Sequence, residues 1–226
     1  MHVLVKSRST RRIALAVVAM SAVASIGVLP TLMSAIPAIG ADSPRAVVEA
    51  TTSAATAVLA NKSLSTEDKK RRLEDIVYAR VDFDTLSRLV LAHYWNKLSE
   101  AQRTDFQQQF KQNLSATYGR NVESYKNEHV TIVGDREEAR GDWTVRTKIV
   151  RNGPDDISVD YRLRQKEGTW YIIDVIIEGV SLVSNYRSQF QEIMANGGAD
   201  RLLTLLREKN ARGEPVKEPP KVHGGG

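Results

Sequence analysis

Hydrophobic positions along this chain recur with a helical period up to about Asn127 and with a period of two after it. From Ser43 to Asn61, Val47, Val48, Thr51, Ala55, Val58 and Leu59 fall at helical spacing and predict a first helix. Ser65 with Asp68 forms a capping pattern for a second helix, in which Leu73, Ile76 and Val77 share a face. Phe83 to Ala92 predicts a short third helix that runs into Tyr94-Trp95. Ser99 and Gln102 then make a capping box for the clearest helix. Its Phe106, Phe110, Leu114, Tyr118 and Val122 give one apolar stripe about five turns long. Taken alone such a stripe is usually core, and packed against a sheet it can instead line a cavity.

Beyond Asn127, His129 to Val133 reads as a strand. So does Trp143 to Val150, where Trp143, Val145, Thr147 and Ile149 alternate with Thr144, Arg146, Lys148 and Val150. Asn152-Gly153-Pro154-Asp155 predicts a turn, and Ile157, Val159, Tyr161 and Leu163 then alternate with polar residues. Lys166-Glu167-Gly168 turns into a strand from Trp170 to Ile177, apolar on both faces except for Asp174, which strict alternation places beside Trp170, Ile172 and Ile176. Short turns between successive strands predict an antiparallel meander. The strand breaks at Glu178-Gly179, and Ser181 caps a helix that turns Leu182, Tyr186, Phe190, Ile193 and Met194 inward and stops at Gly197-Gly198. A Leu-rich helix follows from Asp200 to Lys209. The expected fold class is α+β: a curved antiparallel sheet of about four strands wrapped by helices, a cone like that of nuclear transport factors, with an N-terminal helical part and an enclosed apolar pocket.

Residues 1–41 read as a signal peptide, with Lys6, Arg8, Arg11 and Arg12 ahead of the apolar run Ile13 to Val28, and small residues at Ala38 to Ala41 for cleavage. Arg11-Arg12 resembles a twin-arginine signal, but the residues that follow match general secretion better. Residues 42–210 are expected to form one domain, and 211–226, rich in Pro, Lys and Gly, a disordered tail. The segment takes four of 32 basic residues and none of 27 acidic ones, so the rest carries a net charge of +1. That removes the argument for nucleic-acid binding which the whole-chain pI invites. Lys69-Lys70-Arg71-Arg72, with Glu67, Asp68, Glu74 and Asp75 around it, reads as a solvated helix face rather than a membrane or partner patch.

The chain has no cysteine, so thiol chemistry, disulfides and a lipidation cysteine are excluded. His2, His93, His129 and His223 form no pair at metal-ligand spacing, and no GxSxG, phosphate-loop or GxGxxG motif occurs. Asp174 is the one candidate acid-base group, because a carboxylate in an apolar strand has a raised pKa unless paired. An exported isomerase or hydrolase would use it so. The alternative is a structural partner for Arg187, Arg162 or a backbone amide.

Four segments carry a family resemblance that extends from about Val47 to Leu206: LVLAHYWNKLSEAQRTDFQQQF from Leu89, SVDYRLR from Ser158, TWYIIDVIIEG from Thr169 and GVSLVSNYRSQF from Gly179. Together they resemble the MlaC family, also called the toluene-tolerance family, of periplasmic lipid-binding proteins. The resemblance implies a carrier without catalysis or cofactor, taking phospholipid as cargo between an outer-membrane lipoprotein and porin complex and an inner-membrane ABC transporter with an anchored lipid-binding subunit. It implies acyl chains between sheet and helices, the head group at the mouth, and Tyr94, Trp95, Tyr118 and Val180 as pocket walls or lid. Periodicity adds Phe110, Leu114, Ile149, Tyr161 and Val175. A branch associated with hopanoid transport makes a polycyclic lipid the alternative cargo. One departure is Ala92-His93, where the family leads one to expect a glycine ahead of the aromatic pair.

Overall fold

The computed structural model describes residues 43–119, 122, 125–151 and 156–216; the expected signal peptide, the expected turn at 152–155 and most of the expected tail lie outside them. Among the described residues, five α-helices and five strands follow in the order α1 (Pro44–Ala60), α2 (Thr66–Tyr78), α3 (Phe83–Leu91), a 3-10 turn (Ala92–Lys97), α4 (Glu100–Tyr118), β1 (His129–Glu137), β2 (Trp143–Val150), β3 (Ile157–Lys166), β4 (Thr169–Ile177), β5 (Val180–Ser181) and α5 (Leu182–Ala211). Each helix starts on a side chain that accepts from a backbone N–H of the first turn: Ser43, Ser65, Asp82, Ser99 and Ser181. The predicted box at Ser99 and Gln102 is formed in both directions. No helix among the described residues is long and apolar enough to cross a membrane.

The strands form one open antiparallel sheet in sequence order. Two tight hairpins join its last three strands, Glu167-Gly168 and Glu178-Gly179, and all four residues have positive φ, as a two-residue loop matched to right-handed strand twist requires. The break expected at Glu178-Gly179 is thus a hairpin into a two-residue strand that hands the chain to α5. β1 runs on to Glu137, beyond the predicted Val133, through a bulge at that residue.

A second bulge corrects the reading of β4. Arg162 faces Asp174 and Leu163 faces Ile172, so Ile173 is an extra residue that inverts the alternation. Trp170 and Ile172 therefore line up with Val175 and Ile177, on the side of Val159, Tyr161 and Leu163, while Asp174 keeps only Ile176 of its expected neighbours. The stripe of α4 is also shorter than predicted. The helix ends at Tyr118, and Val122 joins Leu59 and Leu73 in a separate small cluster. α5 is broken where a stop was expected, at Gly198 (φ 67°, ψ −168°), a conformation open essentially to glycine. The tail, expected to be disordered from residue 211, packs up to its last described residue: Asn113 donates to the Glu214 carbonyl and Val216 is buried in the main core.

Candidate functional site

The interior between helices and sheet is an aliphatic core that contains a cluster of aromatic rings. Phe106 and Phe110 of α4 stack at 5.5 Å, and Phe190 and Tyr186 of α5 meet Phe110 edge-on at 5.4 and 5.0 Å. Helical spacing explains the set, because residues four apart on each helix stand one above the other on the face turned to its neighbour. Opposite them, Val145, Ile149, Val159, Tyr161 and Leu163 alternate along β2 and β3 onto the same side of the sheet and are buried in the same cluster. Outside this apolar set, the α4–α5 seam is closed by polar contacts: Asn113 to Asn210, Asn210 to the Gln109 carbonyl, and Gln102 to Asp200.

Three hydroxyls stand inside the cluster. Those of Tyr118 and Tyr186 are hydrogen-bonded to each other, and burial pushes the Tyr118 phenol up to about 12. Burial also raises Tyr161 and Tyr186. A phenol that keeps its proton well above neutrality can donate a hydrogen bond to an ester or phosphate oxygen as readily as to its neighbour.

The predicted site residues divide by depth. Phe110, Leu114 and Ile149 have no exposed surface and form the packed back of the cluster. Trp95, Tyr118 and Tyr161 keep a few per cent each. Tyr94 and Val175 pack against the cluster but stay half-buried. Val175 is the cross-strand partner of Tyr161 and stays partly exposed on β4, at a point that the two-residue β5, paired only with Ile176 and Ile177, does not reach. Val180 is separate from the rest, 38% exposed on β5 beyond the hairpin.

Tyr94 and Trp95 ride on the 3-10 turn between α3 and α4, which begins at an unusual residue. Ala92 ends α3 with φ 50° and ψ −125°, at the position where a glycine was expected. Two arginines hold the carbonyls on either side of it: Arg187 of α5 donates to Leu89 at 2.8 Å and Arg103 of α4 to Trp95 at 3.1 Å. The sequence reading named Arg187 only as a possible partner of Asp174 and missed Arg103, because a bond from a side chain to a distant carbonyl leaves no periodic trace.

Asp174 is engaged at the start of α5. One oxygen accepts from the Val183 N–H at 3.0 Å and the other from the Ser181 hydroxyl at 2.6 Å, with Arg162 at 3.7 Å. Ser181 in turn accepts from the Ser184 N–H. Burial raises the Asp174 carboxyl against these hydrogen bonds and the nearby guanidinium, which lower it. This is the structural-partner role, with a backbone amide and Arg162 but not Arg187. An open groove of about 490 Å³ lies elsewhere, lined by Ala101, Gln102, Asp105, Asp200, Leu203, Thr204 and Arg207, and holds none of the predicted residues. Among the described residues no three His, Asp or Glu side chains gather as a metal site would require.

Comparison with known proteins agrees with this architecture. The family model described as "MlaC protein" matches residues 49–208. The toluene tolerance protein ttg2D of Pseudomonas putida is 28% identical over 182 residues, 76% of this chain and 83% of its own length. The intermembrane phospholipid transport system binding protein MlaC of Haemophilus influenzae is 24% identical over 132 residues, 57% of this chain and 62% of its own. Among solved structures, a phospholipid-binding protein from Ralstonia solanacearum, determined in complex with a phospholipid, superposes with a TM-score of 0.68 over 75% of this chain and 97% of that one, at 24% identity, and so shares the fold.

Proposed function

This chain belongs to the MlaC family, and from that membership we propose that it is a periplasmic phospholipid carrier that works by sequestration, without catalysis or cofactor. The observation that carries the proposal is the apolar interior between α4, α5 and the sheet, rich in aromatic rings, with Val175 left partly exposed beside Tyr161. Two acyl chains of about 30 methylenes represent on the order of 20 kcal/mol of gross hydrophobic free energy. A protein can carry that load through water only if its interior opens enough to keep the chains dry. In this reading Tyr94, Trp95 and Val175 flank the entrance, Tyr118 and Tyr161 line the way in, Phe110, Leu114 and Ile149 close the back, and Val180 stands at the rim.

The names of the relatives support the cargo class and the setting. A phospholipid is bound in the Ralstonia protein, and the Haemophilus relative is named for intermembrane phospholipid transport. We assign to this chain the corresponding partners, an inner-membrane ABC transporter with an anchored lipid-binding subunit and an outer-membrane lipoprotein and porin complex, and export by the segment 1–41.

The test is mass spectrometry of lipid that co-purifies, without detergent, with protein recovered from the periplasm. Stoichiometric phospholipid is expected. A hopanoid in its place would reassign the cargo, and protein free of lipid would overturn the carrier reading.

A further inference from the structure

We propose that Arg103, Arg187 and Lys97 form a binding site for a phosphodiester, the head-group phosphate of the bound lipid; this rests on the carrier reading above. Lys97 belongs to the turn that carries Tyr94 and Trp95, and the two arginines reach backbone carbonyls in that turn and just before it. Arg187 spends its Nε–H on the Leu89 carbonyl, in the last turn of α3, and Arg103 on the Trp95 carbonyl, in the turn itself, which fixes each guanidinium plane and leaves the terminal amino groups for another acceptor; the Arg103 guanidinium also lies 5.4 Å from the centre of the Trp95 ring. Lys97, within the turn, places its ammonium 4.9 Å from the centre of the Tyr94 ring.

No carboxylate among the described residues lies within ion-pair distance of any of the three. Arg88, by contrast, pairs with Asp84 while its guanidinium also sits 5.2 Å from the centre of the Trp95 ring. Arg103 and Arg187 are half-buried, so they have given up part of their hydration without gaining a counter-charge.

A second observation points the same way. Trp95 is 4% exposed and its indole N–H has no acceptor among the described residues. The segment thus holds more donors and positive charge than the protein supplies acceptors for, next to the half-buried Tyr94 at the proposed entrance. A singly charged tetrahedral anion with several oxygens satisfies such a surplus, and the planar fork of arginine suits it.

The experiment uses exchange from vesicles containing either phosphatidylglycerol or a diacylglycerol with the same acyl chains. Wild type is expected to retain the phospholipid over the diacylglycerol by about tenfold or more, the scale of one charge-assisted hydrogen bond. In Lys97→Gln/Arg103→Gln that ratio falls towards one, and Arg103→Lys recovers part of it. Lys97→Gln alone, an exposed side chain with no backbone contact, covers the case in which the double variant fails to fold. An unchanged ratio in the folded variants overturns the proposal and leaves the carrier reading intact, whereas a wild type that retains neither lipid overturns both. Thermal stabilisation of lipid-free wild type by glycerol 3-phosphate, lost in the variants while the vesicle ratio stays unchanged, would assign the site to a free phosphate and overturn the lipid assignment.

Discussion

Replacing Ala92 by glycine should make this protein more stable, against the usual direction of that change. In an ordinary helix Ala→Gly costs about 1 kcal/mol, because glycine has more backbone freedom to lose on folding. Ala92, however, sits at φ 50°, ψ −125°, where a Cβ is in steric conflict with its own backbone. Holding a non-glycine residue in so sparsely populated a region costs roughly 1–3 kcal/mol. Glycine removes that strain and gives back about 0.4–1 kcal/mol through the unfolded chain. The balance is a gain of about 1 kcal/mol, or about 2–4 °C in Tm for a domain of this size. Thermal unfolding of protein stripped of lipid measures it, with Ala54→Gly, an exposed position in the middle of α1, as the control that should lose about 1 kcal/mol. If both variants lose stability equally, Ala92 does not hold this conformation in solution and the account of the turn is wrong.

Asp174→Ala leaves the Val183 N–H and the Ser181 hydroxyl without their acceptor, which should cost roughly 3 kcal/mol. Asp174→Asn, which keeps one acceptor and removes a buried charge, should cost clearly less in urea unfolding; equal midpoints for Asp174→Ala and wild type would refute the capping role. At alkaline pH the buried phenols set the behaviour. Tyr118, Tyr161 and Tyr186 have folded pKa values above the ordinary 10, so the stability they contribute is complete below pH 10 and is lost as pH rises through the folded values, about 12 for Tyr118. A spectrophotometric titration should show their ionisation coinciding with the loss of near-UV circular dichroism, and ionisation ahead of it would count against their burial. Tyr118→Asp puts a charge into the aromatic interior and should abolish lipid retention, whereas Val180→Glu, at an exposed position, should leave the melting temperature within about 1 °C of wild type; a large drop in the latter would show that Val180 is packed against something.

Much of the chain's outline was legible in its sequence. Period and caps located α1, α2, α4, the meander and the start of α5, because local spacing decides which face of an element is apolar and a serine before an apolar run decides where a helix starts. The match of SVDYRLR, TWYIIDVIIEG and GVSLVSNYRSQF to the MlaC family was legible too, and the family model confirms it over residues 49–208. The expectation of a glycine ahead of the aromatic pair also had physical content, since the alanine found there adopts a backbone conformation that favours glycine.

The face of Asp174 was not legible. One extra residue at Ile173 inverts the alternation of β4, and a bulge depends on how two strands pair. The depth of the site residues was hidden as well. Phe110, Leu114 and Ile149 have the same periodic signature as residues nearer the entrance, and only the layer packed over them separates back wall from mouth. The clamp of Arg187 and Arg103 joins residues 98 and 8 positions from their acceptors, through carbonyls that every residue possesses. Sequence alone therefore determined the elements, the fold class and the family, because these follow from spacing, turn chemistry and side-chain type. Register, depth and the approach of Arg103 and Arg187 to the segment that carries Tyr94 and Trp95 were decided by tertiary structure, because each depends on which distant surfaces meet.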